Sequence, residues 1–139
     1  MGMLIDTDVL ILVDRGQMAL DLACFKAEGM AYISVITASE LLVGVHRAQD
    51  PGVRTRRTAF VESLLAALPA LPVDLETARV HAQLLAQLSS HETIGAHDAL
   101  IGATALRYGY AVLTRNVKDF KKLAGLRVLA YPPAASSDL

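Results

Sequence analysis

The 139-residue chain has few aromatic residues, no tryptophan and a single cysteine, Cys24. One cysteine cannot form a disulfide within the chain, which is typical of a protein of the reducing cytoplasm, and we expect it to pack as an apolar residue. No apolar run reaches the roughly 20 residues that span a bilayer, so no membrane segment is expected. The N-terminus has no basic stretch before its apolar run, so we expect no signal peptide.

Several motifs are also missing. The chain has no Walker A loop, no GxGxxG and no cysteine–histidine zinc spacing, which argues against a nucleotide cofactor and a structural zinc. The net charge of −1 argues against a strongly cationic nucleic-acid binder, although it permits an enzyme that holds nucleic acid locally. With 53% hydrophobic residues and a mean hydropathy of +0.40, the chain can bury a large aliphatic core.

Predicted strands and helices alternate along the chain, which is typical of a parallel sheet with helices on both faces. The first predicted strand is expected at the centre, where a switch in strand order would open a crevice. We predict one domain over residues 1–131, followed by a polar tail over 132–139. Predicted strands cover 3–5, 31–35, 71–73, 111–113 and 126–130; predicted helices cover 8–13, 17–27, 37–48, 53–68, 75–88, 98–108 and 117–123, with a turn at 50–52.

Acidic residues follow several predicted strands. Asp6 and Asp8 come after the first, Glu40 after the second and Asp119 after the fourth, while Asp98 opens the helix before that strand. The carboxyl ends of parallel strands meet at one edge, where like charges 4 Å apart repel by about 4 kcal/mol at an effective dielectric near 20. A divalent cation relieves this repulsion. Carboxylates without a thiol or imidazole cluster favour Mg²⁺ or Mn²⁺, which activate water and clamp phosphate oxygens.

Each of these acids also has a purely structural interpretation. Asp6 or Asp8 would cap the helix that follows the first strand. Thr37 and Glu40 have the spacing of a capping box, in which both residues serve the start of a helix. Asp98 in a first helical turn suits the helix dipole. Substitution separates the two interpretations, because a lost cap lowers stability whereas a lost catalytic acid lowers activity.

Three further polar residues border these acids. Asn116 fits an N-cap, and Asp119 is then either an acid of the first turn or an outer metal ligand. His97 adjoins Asp98, and it is either a loop residue or a contact to substrate.

Basic residues form two groups. The first, three arginines within 54–57, is either a solvated helix face or a phosphate contact. The second contains Arg115, Lys118, Lys121 and Lys122 and borders the predicted acid site. Phosphates could be steered there, with Arg115 and Lys118 as the candidate contacts.

Four segments, taken together, resemble a known family. They are Leu4–Thr7, Ser34–Leu41 with Gly44, His97–Ala105 and Leu113–Phe120. In this order, and covering most of a chain of this length, they are similar to PIN-domain ribonucleases, specifically the VapC-type toxins of bacterial toxin–antitoxin pairs. The resemblance implies a three-layer α/β/α fold and a Mg²⁺- or Mn²⁺-dependent endoribonuclease.

The resemblance also implies roles for individual residues. Asp6, Glu40 and Asp98 match the metal-site acids of the family, and a further position matches Asn116, where some members carry Asp. The Asn here would leave one metal tightly held and a second bound only with substrate, so the number of metals stays open. Asp8 stands where members commonly carry Asn or Ser, and its charge could assist the metal.

The mechanism expected from this match is hydrolysis. Asp6 and Asp98 would be the principal ligands, and Glu40 would hold or deprotonate the attacking water. Hydroxide would attack phosphorus while the metal stabilises the leaving 3′ oxygen. Thr7 and Thr114 could orient ligands or phosphate.

The resemblance further implies partners: a structured RNA such as tRNA, a cognate VapB-type antitoxin and a second copy in a homodimer. An apolar groove among the first helices could receive an antitoxin helix. Two rival functions remain at this point. One is a metal-dependent phosphatase or DNA nuclease on the same fold, and the other is a non-catalytic interaction module in which every acid is a cap.

Overall fold

The computed structural model describes residues 1–134 as a parallel sheet between two layers of helices. The strands are β1 (Gly2–Ile5), β2 (Met30–Ser34), β3 (Ala70–Leu71), β4 (Ala111–Thr114) and β5 (Val128–Ala130). The helices are α1 (Thr7–Asp14), α2 (Val35–Arg47), α3 (Pro51–Ala67), α4 (Leu75–Gln87), α5 (Ala96–Tyr108) and α6 (Val117–Phe120), with a 3₁₀ helix over Ala23–Glu28. None of the helices described is both long and apolar enough to cross a membrane.

The strand order is β3-β2-β1-β4-β5, and every neighbouring pair is parallel. β1 is central, as predicted. The chain moves from β1 through β2 to β3 on one side and later adds β4 and β5 on the other. The order therefore switches at β1, and a crevice opens beyond the carboxyl ends of β1, β2 and β4.

Alternation along β1 divides the core between the two faces of the sheet. Met3 and Ile5 point into one cluster, which α1, α2 and α3 cover, whereas Leu4 points into the other, covered by α4, α5 and α6. The helical side chains of the first cluster include Val9, Leu10, Leu41, Val45 and Val61; those of the second include Leu84, Ile101, Ala103, Ala105 and Phe120. The predicted three-layer α/β/α fold is confirmed.

Polar side chains cap several of the helices, including two that border the crevice. Asp6 caps α1, and Ser34 caps α2 by accepting a hydrogen bond from the Ile36 amide at 3.1 Å. Asp50 caps α3, with Pro51 in its first turn, so the predicted turn at 50–52 is in fact a helix start. α5 ends before Gly109, which takes the left-handed conformation (φ 72°).

Residues 17–27 do not form the predicted helix. Residues 17–22 are non-helical, and only the 3₁₀ helix Ala23–Glu28 follows. Tyr131 holds this segment, because its hydroxyl donates to Ala19 O at 2.6 Å and accepts from the Asp21 amide at 2.8 Å. Cys24 is exposed, so the prediction that it packs as an apolar residue is wrong.

The remaining boundaries shift by a few residues from those predicted. The single domain over 1–131 stays a prediction. Of the predicted tail over 132–139, residues 135–139 lie outside the described part of the chain.

Candidate active site

A polar cleft of about 180 Å³ lies at the switch in strand order, beyond the carboxyl end of β1. It brings together side chains that are far apart in sequence: Asp6, Thr7, Asp8, Ile11, Glu40, Asp98 and Asn116. Most of the predicted site residues are therefore neighbours. Thr114 lies directly behind Asp6, whereas Asp119, Arg115 and Lys118 do not line the cleft.

Asp6 is the most deeply placed of the acids, with 3% of its surface exposed. Its Oδ1 accepts from the Thr7 amide at 2.8 Å, and its Oδ2 accepts from the Thr114 hydroxyl at 2.7 Å. Burial, followed by the charges of Asp8 and Asp98, raises the pKa of Asp6 from 3.8 to about 8, although the Thr114 hydrogen bond lowers it. The expected cap at Asp6 is present, but it uses only one carboxylate oxygen.

Asp8 lies one residue beyond Thr7 and has a different environment. Its Oδ1 is buried and has no hydrogen-bond partner among residues 1–134. A buried oxygen without a partner is costly, because it has lost its water without gaining another hydrogen bond. A bound cation would compensate it.

Glu40 is held by a pair of threonines. Its Oε1 lies 2.8 Å from the Thr7 hydroxyl, which lies 3.0 Å from the Thr37 hydroxyl. Since a hydroxyl has one proton and a carboxylate only accepts, Thr7 donates to Glu40 and Thr37 donates to Thr7. The predicted capping box is therefore wrong, because the cap of α2 is Ser34, Thr37 is buried against Thr7, and Glu40 lines the cleft.

Asp98 reaches the cleft from the first turn of α5. Burial raises its pKa most, and the charges of Glu40, Asp119 and Asp8 raise it further. Farther along α5, Gly102 packs closely against Leu123, since a Cβ at Gly102 would lie only 2.3 Å from Leu123 Cδ1. A larger residue at Gly102 would require the Leu123 side chain to move.

His97 also reaches the edge of the cleft. Its Nδ1 lies 3.5 Å from Glu40 Oε2, and 62% of its side chain is exposed. The residue is thus placed to meet a ligand that enters from solvent.

Asn116 faces the cleft, while Asp119 stands behind it. Asn116 Nδ2 donates to Asp119 Oδ2 at 2.8 Å, so its side chain does not cap α6 as predicted. Lys122 Nζ lies 2.9 Å from the other Asp119 oxygen and donates to Thr93 O at 2.7 Å. The Asn116 and Lys122 bonds hold the pKa of Asp119 below its usual range. Asp119 is therefore an ionised partner of Asn116 and not a member of the cleft lining.

The two basic groups are placed differently from each other. Arg115 and Lys118 are exposed on the α6 side. In the other group Arg57 is half-buried, donating through Nε to Asp14 at 2.8 Å and through a terminal nitrogen to Gly44 O at 3.2 Å. Arg57 and Thr37 are the contacts that sequence reasoning missed, because their partners lie 43 and 30 residues away and no local spacing signals them.

The acids fit a divalent cation through their charge more than through a finished ligand cage. No three His, Cys, Asp or Glu side chains within residues 1–134 are already arranged as a metal centre. Mg²⁺ does not need such a cage, because it retains several waters and binds proteins through one or two carboxylates. Burial, followed by neighbouring carboxylates, raises the pKa of Asp6 and of Asp98, and Asp8 Oδ1 has no hydrogen-bond partner within residues 1–134, so a cation would stabilise the charged form of this cluster.

The chain has clear relatives among known proteins. The family profile described as PIN domain matches residues 3–126. This chain belongs to the PIN-domain family. The PIN domain is 41% identical over 130 residues to "Ribonuclease VapC1" of Rickettsia felis, covering 93% of this chain and 96% of the relative. It is 38% identical over 133 residues to "Ribonuclease VapC" of Rickettsia bellii, covering 95% and 98%.

A solved structure agrees with these sequence relatives. A member of the VapBC family of toxin–antitoxin systems, VapBC-5 from Mycobacterium tuberculosis, has a chain that matches with a TM-score of 0.72 at 32% identity. The match covers 93% of this PIN domain and 96% of that chain. The predicted resemblance to the VapC ribonucleases is confirmed.

Proposed function

We propose that this PIN domain is a metal-dependent endoribonuclease toxin that hydrolyses RNA phosphodiester bonds and is neutralised by an antitoxin. The observation that carries the proposal is the acid cleft at the end of β1, in which a buried oxygen of Asp8 has no hydrogen-bond partner in the described part of the chain. The names of the relatives support RNA as the substrate, and the toxin–antitoxin assignment of the solved relative supports the antitoxin.

Asp6 and Asp98 would hold Mg²⁺ or Mn²⁺, with Asp8 adding charge at the same point. When bound, such an ion neutralises phosphate oxygens and lowers the pKa of water. Asp6 caps α1 through Oδ1 and accepts the Thr114 hydrogen bond through Oδ2, so this one carboxylate connects the start of α1 with the end of β4.

Glu40 would act on the attacking water. Its Oε1 is fixed by Thr7, so its other oxygen, near His97, remains to accept a proton from a water that approaches the phosphate. Thr37 is a positioning residue in this scheme, because it acts on Glu40 only through Thr7.

Asn116 would complete the cleft, with Asp119 as its positioning residue. Asp119, which is itself paired with Lys122, accepts a hydrogen bond from Nδ2 of Asn116. The side-chain oxygen of Asn116 is therefore left available to the substrate or the ion. This arrangement favours Asn116 over Asp119 as the fourth site residue.

The finer assignments follow the family resemblance. We propose tRNA or another structured RNA as the substrate, a VapB-type antitoxin as the protein partner, and a homodimer. Cellular RNA as substrate implies a cytoplasmic location, which suits a chain with a single cysteine. Sedimentation analysis of the purified protein tests the homodimer directly.

The nuclease is tested with purified total tRNA incubated with Mg²⁺ or Mn²⁺, beside EDTA. Wild-type protein should cut, and Asp98→Asn and Glu40→Gln should not. Glu76→Gln is the matched control, because Glu76 is an exposed acid on α4 and should leave cutting unchanged. Cutting that persists in EDTA or in Asp98→Asn would contradict the proposal.

The same variants separate the rival functions. Cleavage of DNA or of a phosphomonoester, with RNA left intact, would indicate the rival hydrolases. Absence of cutting and of metal binding, with Asp98→Asn changing only stability, would indicate the non-catalytic module.

A further inference from the structure

Three cavities, the acid cleft and two others, adjoin one another along α1 and share lining residues. The cleft shares Ile11 and Glu40 with a second cavity of about 60 Å³. The second shares Asp14, Arg15 and Arg57 with a third of about 490 Å³. The groove, called here the α1–α3 groove, therefore runs from the acids along α1 to the start of α3.

The two ends of the α1–α3 groove have opposite charge. At the far end Arg57 is occupied by Asp14 and by the Gly44 carbonyl, so it is a fixed part of the wall. Arg15 and Arg56 line the same end and are exposed, and within residues 1–134 no carboxylate forms an ion pair with either. Two uncompensated guanidinium groups thus stand at this end, in a chain whose net charge is −1.

We propose that the α1–α3 groove holds the RNA strand on one side of the bond that is cut, with Arg15 and Arg56 binding its phosphates. The proposal rests on the proposed nuclease function and names the path of its substrate. The planar guanidinium forms paired hydrogen bonds with phosphate, which makes arginine the suitable residue for this contact.

The charge at the two ends of the α1–α3 groove favours an anionic ligand such as RNA. With a divalent ion at the acid end, the negative charge of Asp6, Asp8 and Asp98 is offset, and the Arg15 and Arg56 end is positive already. A polyanion is then attracted at both ends of the groove, while Ile11, Leu41 and Val61 line the middle cavity between them. Arg115 and Lys118, the contacts predicted from sequence, line none of the three cavities.

The test measures binding of a short fluorescein-labelled single-stranded oligoribonucleotide by anisotropy, with Mg²⁺, at several salt concentrations. The protein carries Asp98→Asn throughout so that the probe is not cut. Arg15→Gln/Arg56→Gln is compared with Lys26→Gln/Arg79→Gln, which removes the same charge from exposed sites in the 3₁₀ helix and on α4. Arg57 is left in place because its substitution would break the groove wall.

The Arg15→Gln/Arg56→Gln substitutions, called the groove pair, should reduce the salt dependence of RNA binding, and Lys26→Gln/Arg79→Gln is the control pair. The slope of log affinity against log salt should fall by about 0.7 for each phosphate that the protein no longer neutralises, or about 1.4 for the pair. The control pair should keep the original slope. Equal slopes for both pairs would overturn the proposal, as would unchanged RNA binding with weakened binding of the antitoxin, which would assign the groove to that partner.

Cleavage by the same pairs in the wild-type background separates this proposal from the nuclease. If the Arg15→Gln/Arg56→Gln protein cuts RNA at the normal rate with an unchanged KM, the groove proposal is overturned and the nuclease proposal is retained. Arginine-dependent binding in a protein that cuts no RNA supports the groove and rejects the nuclease. Thermal unfolding of both pairs verifies that each variant is folded.

Discussion

The Thr114 hydroxyl donates to Oδ2 of Asp6 at 2.7 Å, joining the ends of two neighbouring strands, β4 and β1, across 108 residues of sequence. The same hydroxyl oxygen accepts a hydrogen bond from the backbone amide of Asn116 at 2.8 Å. One fully buried threonine therefore orients the acid at the centre of the cleft and starts the turn that carries Asn116. The geometry of the acid cleft therefore depends on this residue.

Replacing Thr114 by valine should weaken both stability and metal binding. The change keeps the shape but removes a donor from a buried carboxylate, which costs about 1–3 kcal/mol of unfolding free energy. The pKa of Asp6 should rise further, because the Thr114 bond lowers it. Urea unfolding and Mg²⁺ titration calorimetry measure the two effects.

Thr104→Val is the control for Thr114→Val. Thr104 is equally buried, but its hydroxyl bonds to Leu100 O within α5 and does not reach the cleft. The Thr104→Val substitution should leave the affinity for Mg²⁺ unchanged. Equal Mg²⁺ affinity in the two variants would show that Thr114 does not orient Asp6.

The metal-free protein should lose stability as pH rises from about 4 to about 8. Below 3.8 Asp6 is protonated in the folded and unfolded states alike; above that value the unfolded state loses the proton while the folded state, with a pKa of about 8, keeps it. The Asp6 contribution to the unfolding free energy therefore falls by up to about 1.4 kcal/mol per pH unit across this window. Urea unfolding in EDTA at several pH values measures the slope.

Asp6→Asn should remove most of that slope. A smaller slope of the same sign should remain, because the pKa of Asp98 is also raised. Saturating Mg²⁺ should reverse the trend in the wild-type protein, since the ion binds the deprotonated acids. An Asp6→Asn protein with the full slope would mean that another group titrates.

Asp119 should support metal binding without being a ligand. Asp119→Ala removes the acceptor that holds Asn116 and should lower Mg²⁺ affinity by about tenfold, the usual effect of losing such a support. Asp119→Asn keeps an oxygen acceptor and should restore part of the affinity. Calorimetry in the absence of RNA measures both; an Asp119→Ala protein with unchanged affinity would remove Asp119 from the site.

Substitution of Ser34 should lower stability, whereas substitution of Thr37 should lower the cleavage rate. Ser34→Ala removes the α2 cap and should lower the unfolding free energy by about 1 kcal/mol. Thr37→Val removes the hydroxyl behind Thr7 and should lower kcat, while Thr37→Ser should restore it. Cleavage rates and urea unfolding on the three variants distinguish this arrangement from a capping box, in which Thr37→Val would lose the cap and Ser34→Ala would lose nothing.

The sequence by itself determined the type and order of nearly all elements. Alternation of apolar runs with helical periods, and acids after the strands, were enough to predict a parallel sheet with β1 at its centre. Right-handed crossovers then bring the carboxyl ends of the strands to one edge, so Asp6, Glu40 and Asp98 had to meet near it. Such features follow from local pattern and chain handedness.

Tertiary structure decided which partner each polar group found. Thr37 matched a local capping spacing but faces Thr7, which lies 30 residues away. Residues 17–27 had a helical pattern, yet Tyr131 holds part of that segment in a non-helical path. These outcomes depend on distances between packed layers, and a polar side chain forms its hydrogen bond with whichever group the packing places within about 3 Å. Sequence spacing carries no information about such distances.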